Sequence, residues 1–273
     1  MPRPEARALV LLLGACLALA ACSRLTFVKP DPARGDYDRV APEYSIKEDP
    51  GASRQAQALR QALLAEGALR GGRLQEARRA AEAALALDPA SSEAHTLLAV
   101  VAERQGRAER AGEHYARAVE LAPRRGVTLN NYAAWLCRNG RQAESLPLFE
   151  RALADAGYDT PAAALANAGT CAMRAGQPVL AERALRRALE YDRDNVVALD
   201  ALARLSFDGG DYLQARAFSQ RRLAAAPATA QVLLLASQIE QKLGDSAAEA
   251  RYVQRLRAEF PNAPTPRGDA SQQ

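Results

Sequence analysis

Apolar residues recur at helical spacing along most of this chain, and polar residues separate them. In one representative stretch Leu59, Leu63 and Leu64 precede Gly72, and a second apolar run ends just before Pro89. This spacing predicts two α-helices joined by a tight turn at the glycine, where a residue without a Cβ can end the first helix. One such pair could not bury its apolar face alone, so it needs neighbouring pairs.

The turn glycine recurs at a nearly constant interval. Consecutive glycines are 34 residues apart, except for one middle step of 36. They are Gly72, Gly106, Gly140, Gly176, Gly210 and Gly244. This ladder predicts about six helix pairs over residues 55–263. The last two pairs depart most from the pattern, with Arg222 and Leu256 where the other pairs have alanine.

Each unit also closes near a helix breaker. Proline follows the ladder glycine by 17 residues in four units, and Gly157 takes that place in a fifth. A helix-turn-helix repeat of this length, with recurring small residues and a closing proline, resembles the tetratricopeptide repeat. The resemblance implies an all-α, right-handed superhelix in which the first helix of every unit lines a concave groove. The two extra residues of the middle step predict a longer turn at residues 155–161.

The N-terminal residues have the pattern of a bacterial export signal. Arg3 and Arg7 precede an uncharged run over Ala8–Ala21. This run is shorter than the ~20 apolar residues that a membrane-spanning helix needs, and it closes on small residues. We therefore expect residues 1–21 to be a cleaved signal peptide.

The end of this signal carries a second feature. Leu19-Ala20-Ala21-Cys22 resembles the lipobox of bacterial lipoproteins, which implies lipidation of Cys22. Ser23, rather than aspartate, follows the cysteine, which by the same resemblance implies a periplasm-facing anchor in the outer membrane. The alternative is an ordinary secretory signal with a chance cysteine. The proline-broken residues 22–54 are expected to form a flexible tether, and residues 264–273 a disordered tail.

Two of the four cysteines remain unassigned by these features. Cys16 lies in the signal peptide and Cys22 is the expected lipid attachment site, which leaves Cys137 and Cys171 in an oxidising periplasm. They fall in the first helices of consecutive repeats, which pack side by side. A disulfide between them is one prediction, and two buried free thiols are the alternative.

Composition and charge argue against several function classes. The formal net charge is only +4 and both signs are interspersed, which favours solvated helix surfaces over a nucleic-acid site. There are two histidines and no C-x-x-C pair, which argues against a structural metal. His95 falls at a place that a large packing residue usually fills. Because no nucleophile motif or phosphate loop is found, we expect no enzyme activity, no cofactor and no small-molecule substrate.

The candidate binding residues lie in the predicted groove. Asn131 and Asn167 occupy the repeat place where an amide can hold a partner's backbone, whereas the other repeats have leucine or alanine there. Hydrogen bonds within the repeats are the alternative role for both amides. A row of cations that includes Arg138 and Arg174 precedes the ladder glycines by two residues and suits an acidic partner. The alternative is that these cations stabilise helix C-termini.

Several longer sequence segments resemble one particular family of tetratricopeptide-repeat proteins. Residues 130–140 (NNYAAWLCRNG), 167–172 (NAGTCA) and 191–194 (YDRD) resemble the PilF/PilW family of type IV pilus biogenesis and stability proteins. This resemblance implies an outer-membrane lipoprotein, a pilotin, that helps secretin subunits reach the outer membrane and multimerise. Other pilus-assembly proteins are further candidate partners. Two other classes stay open: a lipoprotein of outer-membrane protein assembly and a scaffold that docks cell-wall hydrolases.

Overall fold

The structure is a computed structural model that describes residues 50–263. These residues form twelve α-helices and no β-strand, which confirms the predicted all-α class. The helices are α1 (Pro50–Arg70), α2 (Leu74–Leu87), α3 (Ser92–Arg104), α4 (Ala108–Leu121), α5 (Gly126–Arg138), α6 (Gln142–Leu153), α7 (Pro161–Arg174), α8 (Pro178–Tyr191), α9 (Val196–Asp208), α10 (Tyr212–Ala225), α11 (Ala230–Leu243) and α12 (Ser246–Glu259). Consecutive helices pair into six repeats.

The ladder glycines form the turn within each pair. All six have positive φ, between 69° and 80°, a region that an L side chain disfavours. In the first repeat the N–H of Arg73 donates to the carbonyl of Ala68, and the N–H of Gly72 donates to that of Leu69. These are the bonds of a Schellman turn, which satisfies the last carbonyls of a helix. Each glycine of the ladder therefore marks a turn with the same left-handed backbone conformation.

Small residues lie between the two helices of each repeat. The position five residues after the glycine is fully buried in the first five repeats. Its residues there are Ala77, Ala111, Ser145, Ala181 and Ala215. A small side chain at this place lets the two helix backbones approach closely, so the alanine pattern follows from packing.

The arrangement of helices defines an inner and an outer side. Among the described residues, the first helices of consecutive repeats approach within 8 Å between Cα atoms, whereas the backbones of consecutive second helices stay further apart. The first helices are therefore closer together and line the concave side. This places α1, α3, α5, α7, α9 and α11 in the predicted groove.

The buried face of α1 is not the face that carries its leucines. Leu59 and Leu63 are 52% and 53% exposed, and α1 packs through small residues such as Ala62 and Ala65. The counterpart of Leu63 one repeat later, Leu97, is buried against the first repeat. Within the described residues no repeat precedes α1, so its leucines have no such neighbour.

The long turn between repeats three and four has a capping role. Asp155 Oδ2 accepts a hydrogen bond from the Gly126 N–H at the start of α5, at 2.7 Å, and Oδ1 accepts from the Gly157 N–H at 2.9 Å. Arg125, at the N-cap of α5, offers no side-chain acceptor. These two backbone hydrogen bonds hold the pKa of Asp155 below its usual range. The carboxylate thus supplies a cap from the following turn.

The boundary of the repeat domain differs slightly from the prediction. The structure begins α1 at Pro50, so residues 50–54, predicted as the end of the tether, are helical. The signal peptide, the lipidation site Cys22, the rest of the tether and the tail 264–273 lie outside the described residues. Among the helices of residues 50–263, none has the length and hydropathy that crossing a membrane requires.

Candidate partner-binding groove

Four rows of side chains make up the concave surface, which we call the groove. The rows start in α1 at Leu59, Leu63, Glu66 and Arg70, one helical turn apart, and recur at the ladder interval in the later first helices. This spacing keeps all four positions on one helix face. The chemistry of the rows changes along the solenoid, so the groove is not uniform.

The groove has an apolar strip at its N-terminal end, within the first two repeats. Leu59 and Leu63 project from α1 with about half of their surface exposed, and the partly buried Val100 of α3 lies in the third row. Exposed leucines in adjacent turns of one helix form an apolar strip. Covering such a strip releases water and favours association with an apolar partner segment.

The two predicted asparagines differ in the middle of the groove. The side-chain amide of Asn167 donates to Oδ1 of Asn130 at 3.1 Å, so it joins α7 to α5. Asn131 is partly exposed, and its amide has no hydrogen-bond partner within residues 50–263. The alternative structural role therefore applies to Asn167, whereas Asn131 keeps a free amide in the groove.

The cations of the fourth row also differ from one another in whether they have a partner. Nη1 of Arg104 donates to the Leu69 carbonyl at 2.6 Å, which caps the C-terminus of α1 from the next repeat. Arg138 binds Glu103 through Nε and Nη2, at 2.9 and 2.6 Å, between α5 and α3. Both contacts are structural. Arg174 is exposed at the same place in α7, and its side chain makes no ion pair or hydrogen bond in the described part of the chain.

The cysteines lie behind the groove, between α5 and α7. The structure joins Cys137 and Cys171 in a disulfide with a Cα–Cα distance of 5.7 Å, and both residues are buried. Ser145 Oγ donates to the Ala133 carbonyl at 2.9 Å and lies 3.4 Å from Cys171 Sγ. The bond therefore fastens the walls of repeats three and four where the turn is two residues longer.

The two histidines meet inside repeat two. Nδ1 of His95 lies 3.2 Å from Nδ1 of His114, so one ring donates a hydrogen bond and the other accepts it. The places equivalent to His95 in repeats three to six hold buried leucines, Leu129 and Leu199 among them. Burial lowers the pKa of both imidazoles, which favours a neutral pair. Across residues 50–263 no group of three metal-ligating side chains is found.

Sequence reasoning missed a part of the groove in repeats four to six. Arg204 of α9 belongs to the third row, where the other repeats have no cation. Arg222 of α10, which breaks the alanine pattern, is buried and donates from Nη1 to the carbonyls of Ala226 and Pro227 at 3.2 and 3.4 Å. Arg204 and Arg222 could have been noticed in the sequence as candidates for this part of the groove, because each departs from the residue type that the other repeats have at its position.

Comparison with known proteins first defines the class. The tetratricopeptide repeat family matches residues 56–125, which span the first two repeats and the turn that follows them. With six glycine-turned helix pairs and a concave groove, the chain is a tetratricopeptide-repeat protein.

The relatives then define the family. The crystal structure of PilW, a widely conserved type IV pilus biogenesis factor, is 31% identical and superposes with a TM-score of 0.71 over 76% of this chain and 94% of PilW. A structure of Pseudomonas aeruginosa PilF is 25% identical, with a TM-score of 0.71 over 77% of this chain and 95% of that one. The type IV pilus assembly protein PilF of P. aeruginosa strain PAO1 is 26% identical over 72% of this chain and 78% of its own length. The chain belongs to the PilF/PilW family.

Proposed function

We propose that this protein is a pilotin, a non-enzymatic adaptor that binds the type IV pilus secretin and promotes its localisation and multimerisation at the outer membrane. Membership of the PilF/PilW family supports a role in pilus biogenesis. The groove supports partner binding, since it offers exposed apolar surface and a free amide.

The exposed leucine strip of α1 is the observation that carries this proposal. Burying the exposed halves of Leu59 and Leu63 under a partner segment contributes about 1.5 to 3 kcal/mol. Asn131 lies further along the same surface and can bind a backbone peptide group of that segment. We therefore place the secretin contact in the groove of repeats one to four.

The membrane anchor is the second half of the proposal. Lipid on Cys22 would hold the repeat domain at the inner leaflet of the outer membrane and carry a bound secretin subunit there. A lipid anchor with more than one acyl chain binds membranes stably. Cys22→Ala should leave unprocessed precursor and remove the protein from the outer-membrane fraction. Normal processing and sorting of this variant would contradict the anchor.

A pull-down tests the identity of the partner. The lipid-free repeat domain is incubated with detergent extracts of the source cell's membranes, and bound proteins are identified by mass spectrometry. We expect the secretin to be recovered. Recovery of outer-membrane assembly proteins or cell-wall hydrolases without secretin would replace the proposal by one of those two scaffolding functions.

A further inference from the structure

The groove deepens into a concavity of about 440 Å³ in repeats four to six. Its walls come from the first helices α7, α9 and α11, and Arg222 of α10 also lines it. This part lies towards the C-terminus from the apolar strip of α1. It shares only repeat four with the proposed secretin contact in repeats one to four.

Two guanidinium groups reach this concavity without partners of their own. Arg174 and Arg204 line it from adjacent helices, and neither side chain makes an ion pair or hydrogen bond within residues 50–263. Arg104 and Arg138, in the same row as Arg174, are both engaged. Asp200 lies one turn before Arg204 yet does not pair with it. The two free cations therefore exceed the one carboxylate of the lining.

The floor of the concavity is apolar and lies to one side of these cations, two helical turns before Arg204. Val197, in the same row as Leu59, is 47% exposed, and Val196 and Val232 also line the concavity. Arg222 is committed to two backbone carbonyls, which leaves Arg174 and Arg204 as the free cations of the lining. An occupant that matches this surface has an apolar side chain for the floor and, further along, two carboxylates for the cations.

We propose that the concavity of repeats four to six is a second docking site, which binds an extended acidic peptide segment of a protein partner. A guanidinium binds a carboxylate through two parallel hydrogen bonds, so two of them on adjacent helices can fix two acidic side chains. An apolar residue next to these acids in the segment packs on Val197. A volume of about 440 Å³ accommodates a few side chains of such a segment.

Fluorescence anisotropy with defined peptides tests this site on the lipid-free repeat domain. The probe is a fluorescein-labelled nine-residue peptide in which aspartates alternate with leucines, and matched peptides carry lysine or asparagine in place of aspartate. The variant Arg174→Glu/Arg204→Glu removes the free cations. The control Arg251→Glu/Arg257→Glu makes the same charge change on the exposed surface of α12.

We expect the aspartate peptide to bind saturably below about 1 mM and more tightly than both matched peptides. The Arg174→Glu/Arg204→Glu variant should weaken binding at least about tenfold, and raising the salt concentration should also weaken it. The control variant should bind like the wild type.

Three results would overturn this assignment. One is the absence of binding, and another is equal weakening by both double variants. The third is tighter binding of a ten-nucleotide oligothymidylate, because this would identify a nucleic-acid site. The single variant Arg204→Glu, in repeat five and outside the proposed secretin contact, should weaken peptide binding and leave a secretin pull-down unchanged, so failure of this site is distinguishable from that of the pilotin proposal. Val197→Asp tests the floor separately and should reduce binding of the same peptide.

Discussion

Asn167 donates its side-chain amide to Asn130, at 3.1 Å, across the boundary between repeats three and four. This bond occupies an amide that the repeat pattern places in the groove, while the amide of Asn131, one residue after Asn130, has no partner within residues 50–263. Together with the disulfide between α5 and α7, the bond fastens the solenoid at its longest inter-repeat turn. The middle of the groove thus contains one asparagine that holds the fold and one available to a partner.

This difference predicts that replacing each asparagine by alanine affects a different property: stability for Asn167 and partner binding for Asn131. Asn167→Ala should lower the free energy of unfolding by about 1 to 3 kcal/mol, because it leaves the buried Asn130 oxygen without its donor. Asn131→Ala should leave stability within about 0.5 kcal/mol of wild type and weaken secretin binding. Urea denaturation and a binding assay on both variants check this. Equal loss of stability in the two would contradict the assignment.

The disulfide should make a measurable contribution to stability. Closing a loop between residues 34 apart in sequence contributes about 3 to 4 kcal/mol in the chain-entropy model. The variant Cys137→Ser/Cys171→Ser should therefore have a lower denaturation midpoint, and a reducing agent should shift the wild type alone. Thiol trapping of the denatured, non-reduced protein should label neither cysteine. Full labelling of both would show that the bond does not form in the cell.

Two helical glycines should respond in opposite directions to alanine. A Cβ at Gly112 would lie 2.5 Å from Cη2 of Trp135, so Gly112→Ala should overpack repeats two and three and cost about 1 to 3 kcal/mol. A Cβ at Gly67, in α1, would meet no atom within 4 Å, so Gly67→Ala should stabilise by about 0.5 to 1 kcal/mol. Thermal denaturation followed by the fluorescence of the single tryptophan checks both.

The Asp155 cap should make stability depend on pH in a defined direction. The pKa of Asp155 is lower in the folded protein than in the unfolded chain, where an aspartate has a pKa of about 4. The stabilisation is therefore fully present above this unfolded-state pKa. It is lost as the pH falls through the lower, folded value. Asp155→Asn should therefore be less stable than the wild type at pH 7, and the difference should shrink at pH 3. A difference that is unchanged by pH would contradict the cap.

Much of the fold could be predicted because the repeat imposes a constraint at every turn. Only glycine readily adopts the positive φ found at positions such as Gly72 and Gly244, so the interval between glycines counted the repeats correctly. The buried alanines follow from close helix packing in the same way. The exposure of Leu63 could not be read from its periodicity, since the same position is buried in the next repeat.

The groove was predictable in position and only partly in chemistry. The repeat place of Asn131 and Asn167 identified the correct surface, but the partner of Asn167 depends on how far α7 is displaced from α5. Arg204 and Arg222 depart from the residues that the repeat usually has at their positions, so the repeat pattern does not predict them. They nevertheless supply charge to the C-terminal concavity. Whether a cation such as Arg174 is engaged or free depends on contacts between repeats.

The most direct test of the pilotin account measures binding of the purified secretin to the lipid-free repeat domain. The variant Leu59→Asp/Leu63→Asp changes the apolar strip of the groove, and Leu213→Asp, at a residue 69% exposed on the second helix α10, is the matched control. The account predicts that the strip variant weakens binding by about tenfold to a hundredfold while the control binds like the wild type. Undiminished secretin binding by a folded strip variant would contradict it.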